Sequence, residues 1–220
     1  MKHIHTSLWV LLLCVLITTV ISEDNKDEGS KKVPLTPRVY VKLLQTRRKD
    51  HTTLIQRMLQ NDYSKNYKMM SLALDKIFQI IKQSNQTLTD EKYSPITDGF
   101  PVEQRVQEAV TLLIEDTCLA SDIILHFPEI SQKVLKKIPQ WKETINWCLD
   151  FVMHYPHIID EVIVQLIDLA RQEINEDARS PDFINPYYKK VEVESVPTKK
   201  PNRRVKKIKK GPQLSSRSEL

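Results

Sequence analysis

Acid–base, nucleophilic and metal chemistry need His, Cys, Ser or carboxylates in set geometries, and this chain offers six histidines and three cysteines to build them from. Their spacing argues against each use. His154 and His157 are three apart, which suits one helix face, but Pro156 lies between them and breaks that geometry. Cys118 and His126 resemble half of a metal site, yet no second pair stands at ligand spacing. His51 stands alone, and His3 and His5 fall in an N-terminal segment expected to be removed. Glu115, Asp116 and Asp122 recur on adjacent turns, where paired carboxylates are usually a solvated helix face. Ser71, Ser121 and Ser131 have no flanking glycine elbow that would mark a nucleophile. The sequence therefore predicts no catalytic, cofactor or metal site.

The remaining chemistry is that of recognition and modification. Arg217, Ser218, Glu219 and Leu220 end the chain in a form close to the Lys-Asp-Glu-Leu class of ER-retrieval addresses, which a receptor reads as a free carboxylate plus the preceding side chains. Arg217 supplies the cation, while Ser218 removes one acidic contact, so retrieval is expected to be leaky. Just upstream lies a basic run of Lys199, Lys200, Arg203, Arg204, Lys206, Lys207, Lys209 and Lys210. No aromatic is interleaved with it, which argues against a nucleic-acid arm. A solvated linker presenting the last four residues is one reading. Contact with an acidic partner or anionic head groups, at about 1 kcal/mol per basic residue, is the other. Asn85-Gln86-Thr87 is the one Asn-X-Ser/Thr sequon, placed by the pattern in a polar connection and a candidate for glycosylation. Cys118 and Cys148 both fall at apolar helical positions. Either they pair, closing a loop of about thirty residues that contributes about 3 kcal/mol, or they are two buried free thiols.

The elements that carry these residues are read from hydrophobic spacing. Leu8 to Ile21 is an almost wholly apolar run of 14 residues. That is too short for a hydrocarbon core about 30 Å thick but suits the apolar part of a signal peptide. Small side chains at Val20 and Ser22, with Glu23-Asp24 following, place cleavage after Ser22. Residues 23–35 read as a charged, disordered leader. Glycine occurs at 29, 99 and 211 alone, which disfavours sheet-rich folds and phosphate-cradling loops and favours helices.

The helical domain spans 36–178. Thr36-Pro37 reads as an N-cap followed by a first-turn proline. Helical spacing runs on through Leu54, Ile55, Met58 and Leu59, then Tyr63, Tyr67, Met70, Leu74, Ile77, Phe78 and Ile81. This is one long helix, or two with a joint near Asn61-Asp62. Lys82 to Phe100 reads as a polar connection, and a further helix runs from Pro101 to Leu125. Pro128, Pro139 and Pro156 each open another. The last carries Ile159, Val162, Leu166 and Leu169. Val106, Leu113, Ile124, Ile145 and Leu166 are predicted core, and Trp141 and Trp147 are best read as core as well. Residues 179–197 read as extended chain and 198–220 as a basic, disordered tail. The fold class is all-α, a compact helical array.

Charge separates these parts. Formal net charge is +5, and loss of Lys2 with the signal leaves +4. From Lys189 to Pro212, ten Lys or Arg stand against Glu192 and Glu194, a net +8; Arg217 and Glu219 cancel, so the body from Glu23 to Tyr188 is near −4.

Several short stretches fall in an order that resembles the coiled-coil domain-containing protein 134 family: Asp98-Gly99-Phe100-Pro101, Glu115-Asp116-Thr117, Leu125-His126-Phe127-Pro128, Trp141 with Trp147, Asn185-Pro186-Tyr187, and Lys210-Gly211-Pro212 through Leu220. The resemblance runs from about Tyr40 to the end. Arg217 stands where the family pattern has Gln, and Cys118 and Cys148 also depart from it. The resemblance implies a helical protein of the ER lumen or secreted from it, without catalytic activity. It implies damped MAP-kinase signalling and association with endoplasmin, the lumenal 90-kDa heat-shock chaperone. The expected partners are therefore proteins, endoplasmin and the retrieval receptor, with no nucleic acid and no transmembrane segment. The alternative is a secreted, cytokine-like helical ligand.

Overall fold

The computed structural model describes residues 35–188. Among them lie six α-helices, a 3-10 turn and no strand. Helix α1, Pro37–Met58, opens as its sequence predicts: the Thr36 side chain accepts the Val39 N–H at 3.4 Å, and Pro37 occupies the first turn. The joint at Asn61-Asp62 is real. The Asp62 carboxylate accepts the Lys65 N–H at 2.8 Å and starts α2, Tyr63–Asp90. Buried Asn66 donates to the Met58 carbonyl at 2.9 Å, satisfying the end of α1 from the start of α2. The sequence allowed one helix or two; there are two.

Helix α2 continues well beyond the predicted boundary. Ile80, Ile81, Ser84 and Leu88 prolong its buried stripe, so Lys82, Gln83, Asn85 and Gln86 are the outer face of a helix and not a polar connection. Asn85 is thus helical. The true connection begins at Glu91, turns at Lys92 (φ 51°) and Gly99 (φ 66°), and is pinned where the Asp98 carboxylate accepts the Ser94 N–H at 2.8 Å. Tyr93 hydrogen-bonds the Tyr155 hydroxyl at 2.8 Å, tying this loop to a residue 62 positions further along.

Helix α3, Gln104–His126, starts three residues after Pro101. Glu103 caps it, accepting the Arg105 and Val106 N–H groups at 3.0 and 2.7 Å. This helix is the hub: α1, α2, α4 (Pro128–Leu135), α5 (Trp141–Met153) and α6 (Glu161–Ile174) all pack on it, and nearly every residue from Ala109 to Leu125 is buried. A helix enclosed on every side is necessarily buried on every face.

Two proline assignments shift. Pro139 precedes α5, which begins at Trp141 after Gln140 takes a left-handed turn (φ 54°). Pro156 does not open the last helix. It lies in a turn that buries Ile158 and Ile159, and α6 starts at Glu161, where Asp160 accepts the Ile163 N–H at 3.0 Å. The later start rotates the stripe: Ile163, Leu166, Ile167 and Ala170 face inward, while Val162 is 65% exposed. The five predicted core residues, Val106, Leu113, Ile124, Ile145 and Leu166, are all buried. Beyond the 3-10 turn Glu176–Ala178 the described residues 179–188 have no regular structure but are tied down: Asn185 donates to the Leu125 carbonyl at 2.8 Å and Tyr188 to Glu129 at 2.7 Å. Among the described residues no helix is long and apolar enough to cross a membrane.

Candidate functional site

The face of α1 that meets α3 carries Tyr40, Leu44, Arg47, Arg48, His51, Ile55 and Met58 at three- and four-residue intervals. It is apolar at both ends and charged in the middle. Opposite it, α3 presents Thr111, Glu115 and Asp122. The Tyr40 hydroxyl donates to the Thr111 carbonyl at 3.1 Å, Arg47 Nε lies 3.3 Å from Glu115 Oε2, and Arg48 forks onto both oxygens of Asp122. The His51 ring nitrogen Nδ1 accepts from the same guanidinium at 3.2 Å.

These carboxylates are not the solvated face their spacing suggested. Asp116 and Asp122 are buried and Glu115 nearly so, because α3 has a neighbour on each side. Burial sets their protonation. Desolvation lifts Glu115 to about 7 against the opposing pull of Arg47 and the nearby Tyr40 hydroxyl. Desolvation and the adjacent Glu115 lift Asp116 to about 8, with Lys76 opposing. Asp116 Oδ2 has no hydrogen-bond partner among the described residues, so the group is cheapest as a neutral acid at pH 7. His51 moves the other way, to about 3, through burial and then the charges of Arg48 and Arg47. A neutral His51 is what an arginine donor requires. Its 4.0 Å approach to Asp122 is accordingly no ion pair.

Cys118 and Cys148 are buried free thiols, both pushed up to about 12 chiefly by burial. Cys118 borders the Arg48–Asp122 pair, while Cys148 lies beside the Thr117 hydroxyl, which donates to the Leu113 carbonyl at 2.6 Å. Neither has the thiolate character a nucleophile or metal ligand needs. His126 Nδ1 is engaged with the Asp122 carbonyl and His154 Nδ1 with the Asp150 carbonyl, both at 2.9 Å within their own helices. Among the described residues no three His, Cys, Asp or Glu are grouped to hold a metal ion. The seam between α1 and α3 holds these helices together, its charged side chains largely withdrawn from water by the packing that shifts their titrations.

An open feature of the described residues lies between α2 and α5. Helices α2 and α5 both rest on α3 and diverge from each other, leaving a cleft of about 550 Å³. Phe78, Ile81, Ile138 and Pro139 supply apolar surface, and Trp147 lines it from α5. Gln79, Asn85, Gln140 and Thr144 bring amides and a hydroxyl, with Asp75, Lys82 and Glu143 as its charges. Gln140, one of two non-glycine residues at positive φ among the described residues, sits on this rim. Trp141 and Trp147 are both half-buried against the core, and of the two Trp147 reaches the cleft. The volume and mixture are those of a ligand-sized site.

The structure separates the residues singled out by sequence. Asn85 lines the cleft, and Cys118 and Cys148 lie inside. The segment expected to be a signal peptide, the basic run Lys199, Lys200, Arg203, Arg204, Lys206, Lys207, Lys209 and Lys210, and the ending Arg217, Ser218, Glu219 and Leu220 fall outside the described residues. Sequence reasoning missed Arg47, Arg48 and His51. The signal for them was present: a stripe on α1 apolar at Tyr40, Leu44, Ile55 and Met58 that turns charged between, with carboxylates at 115 and 122 spaced to answer it.

Comparison with known proteins turns these observations toward a family. A coiled-coil domain-containing protein 134 of Xenopus tropicalis is 27% identical over 229 aligned positions, covering 96% of this chain and 99% of that one. Its counterpart in Mus musculus is 26% identical, over 87% of this chain and 91% of that one. No solved structure matches. Both relatives align along nearly their whole length, and a family described as "ERK and JNK pathways, inhibitor" matches residues 24–215; the chain belongs to that family of pathway inhibitors.

Proposed function

We propose that this chain is a non-enzymatic accessory protein of the ER lumen that works by binding other proteins, endoplasmin foremost, and through client receptors lowers MAP-kinase signalling. The observation that carries this is the family match across 24–215, whose description names inhibition of the ERK and JNK pathways. Three features of the sequence support the compartment. The apolar run Leu8–Ile21 suits a cleaved signal, Arg217 to Leu220 suits retrieval, and Asn85 lies in a sequon. A lumenal protein meets kinases across a membrane, so its effect on them is indirect, exerted on proteins that mature in the same compartment.

Protease digestion of intact microsomes, followed by crosslinking and affinity capture, tests the reading. The protein is expected to be protected, to begin at Glu23, and to recover endoplasmin. Degradation of the intact-microsome pool overturns the lumenal assignment; protection without endoplasmin overturns the partner. A secreted ligand is the alternative, separated by deleting residues 217–220. A retained protein then shifts into the medium, whereas a ligand leaves the cell equally with or without them.

A further inference from the structure

The sequon and the cleft were found independently, one from sequence and the other from packing, yet they meet. Asn85 is exposed on the outer face of α2, and its side chain is part of the cleft wall that Trp147 completes from α5. The Thr89 hydroxyl donates to the Asn85 backbone carbonyl at 2.9 Å within the helix. The lining suits a sugar. A pyranose has one face of C–H groups, for which an indole such as Trp147 is a large apolar platform. Its edge carries hydroxyl or acetamido groups, for which Gln79, Gln140, Thr144 and Glu143 supply donors and acceptors. Gln140 is held at φ 54°, and such left-handed non-glycine residues gather at binding sites.

We propose that Asn85 carries an N-linked glycan and that the innermost N-acetylglucosamine of that glycan seats in the α2–α5 cleft, its C–H face on Trp147. The proposal rests on the lumenal reading above, since the transferase and its donor are lumenal. The donor is an oligosaccharide linked to a polyprenyl pyrophosphate. A bond forms between Asn85 Nδ2 and C1 of the first sugar, the C1–O bond to pyrophosphate breaks, the polyprenyl pyrophosphate leaves with that electron pair, and Nδ2 loses one proton. The first sugar is tethered to the cleft wall, so its effective concentration at the cleft is high and no free saccharide competes with it. The α2–α5 face is then covered by the chain's own modification, and a protein partner docks elsewhere.

The full chain, expressed in secretory cells, is first tested for protease protection in microsomes, then treated with peptide N-glycosidase. A loss of mass is expected that maps to Asn85 and is absent in Asn85→Gln and Thr87→Ala. An unmodified Asn85 in a protein that is protease-protected overturns the modification while leaving the lumenal reading intact; a protein degraded in intact microsomes overturns both. Seating is read by acrylamide quenching of a Trp141→Phe variant, whose mature form has Trp147 as its sole tryptophan. Endoglycosidase trimming to a single N-acetylglucosamine is expected to leave quenching low, and its complete removal to raise it. Equal quenching of the two forms overturns the seat. The same comparison in the wild-type chain, where Trp141 adds a constant background, covers a variant that fails to fold.

Discussion

The Arg48 guanidinium on α1 is forked onto the Asp122 carboxylate on α3, 74 residues away in sequence, with both side chains largely withdrawn from water. The planar fork and carboxylate match bidentately, and His51 accepts a further bond from the same guanidinium. The pair fixes how α1 docks, because any slide along α3 leaves a buried charge unpaired.

Removing one partner is therefore far more harmful than removing both. Asp122→Ala is expected to cost about 3–5 kcal/mol, since it strands the Arg48 charge. Arg48→Met combined with Asp122→Leu is expected to cost clearly less than the sum of the two single changes, as apolar replacements of buried pairs often do. Urea unfolding of Arg48→Met, Asp122→Leu and the double variant decides it; additivity of the two changes would show the pair is not coupled.

Stability is expected to fall as pH rises from about 6.5 to 8. Glu115 and Asp116 are raised to about 7 and about 8, well above their unfolded values. Between those limits the folded protein holds more protons than the unfolded chain, so their contribution is greatest at low pH and is lost as pH rises through the folded values. His51, lowered to about 3, works with the opposite sign, and its contribution is lost as pH falls below the usual histidine range. Above pH 6.5 the carboxyl groups thus act alone among the three. Calorimetry across that window should show Tm declining in the wild type and a flatter profile in Asp116→Asn. An identical slope in the variant rules out Asp116 as the source.

How far the fold was legible follows from what each element touches. Thr36-Pro37 announced α1 because its cap is local chemistry, and Leu113 and Ile145 announced the core because apolar spacing survives any neighbour. Where the reading failed, the cause was non-local. Lys82 to Asp90 looked like a loop because a helix lying on one side of α3 is free to be polar on the other. Asp116 and Asp122 looked solvated because nothing in their own segment reveals that five helices surround it. Pro156 is compatible with a first turn, but Asp160 is the better cap, and only the packing of Ile158 and Ile159 decides between them. Asn85 was found as a motif, while the cleft beside it depends on how α2 and α5 diverge, which no spacing encodes.

The rotated stripe of α6 gives a paired test of the core. Leu113, fully buried at the centre of α3, is expected to cost about 2–5 kcal/mol as Leu113→Ala. Val162→Ala, on the exposed face, is expected to change stability by no more than about 0.5 kcal/mol. Comparable losses in thermal melts of the two would restore Val162 to the core and displace Ile163.

The thiols make a chemical prediction. Cys118 and Cys148 are buried and raised to about 12, so the native protein should resist iodoacetamide at pH 8. Unfolded in guanidinium without reductant, the mature chain should take up two alkyl groups per molecule, counted by mass. Uptake of none until reductant is added would establish a disulfide in place of two free thiols.

Charge supplies the last test, on how the protein holds its partner. The body is near −4 and the run from Lys189 to Pro212 is +8, so the two would read different surfaces of any partner. If the run carries the contact, binding weakens steeply with salt, because exposed charges are screened over about 8 Å at physiological ionic strength. If the helical body carries it through apolar burial, salt matters little and the run chiefly speeds encounter. The body is expected to set the lifetime of the complex, since rim charges act mainly on association rates. Binding to endoplasmin is measured for the full chain and for a chain ending at Pro197, each at low and moderate salt. A slower association with an unchanged dissociation rate supports the body as the reader. Loss of binding on truncation transfers that role to Lys199, Lys200 and their neighbours, and makes the tail the functional surface.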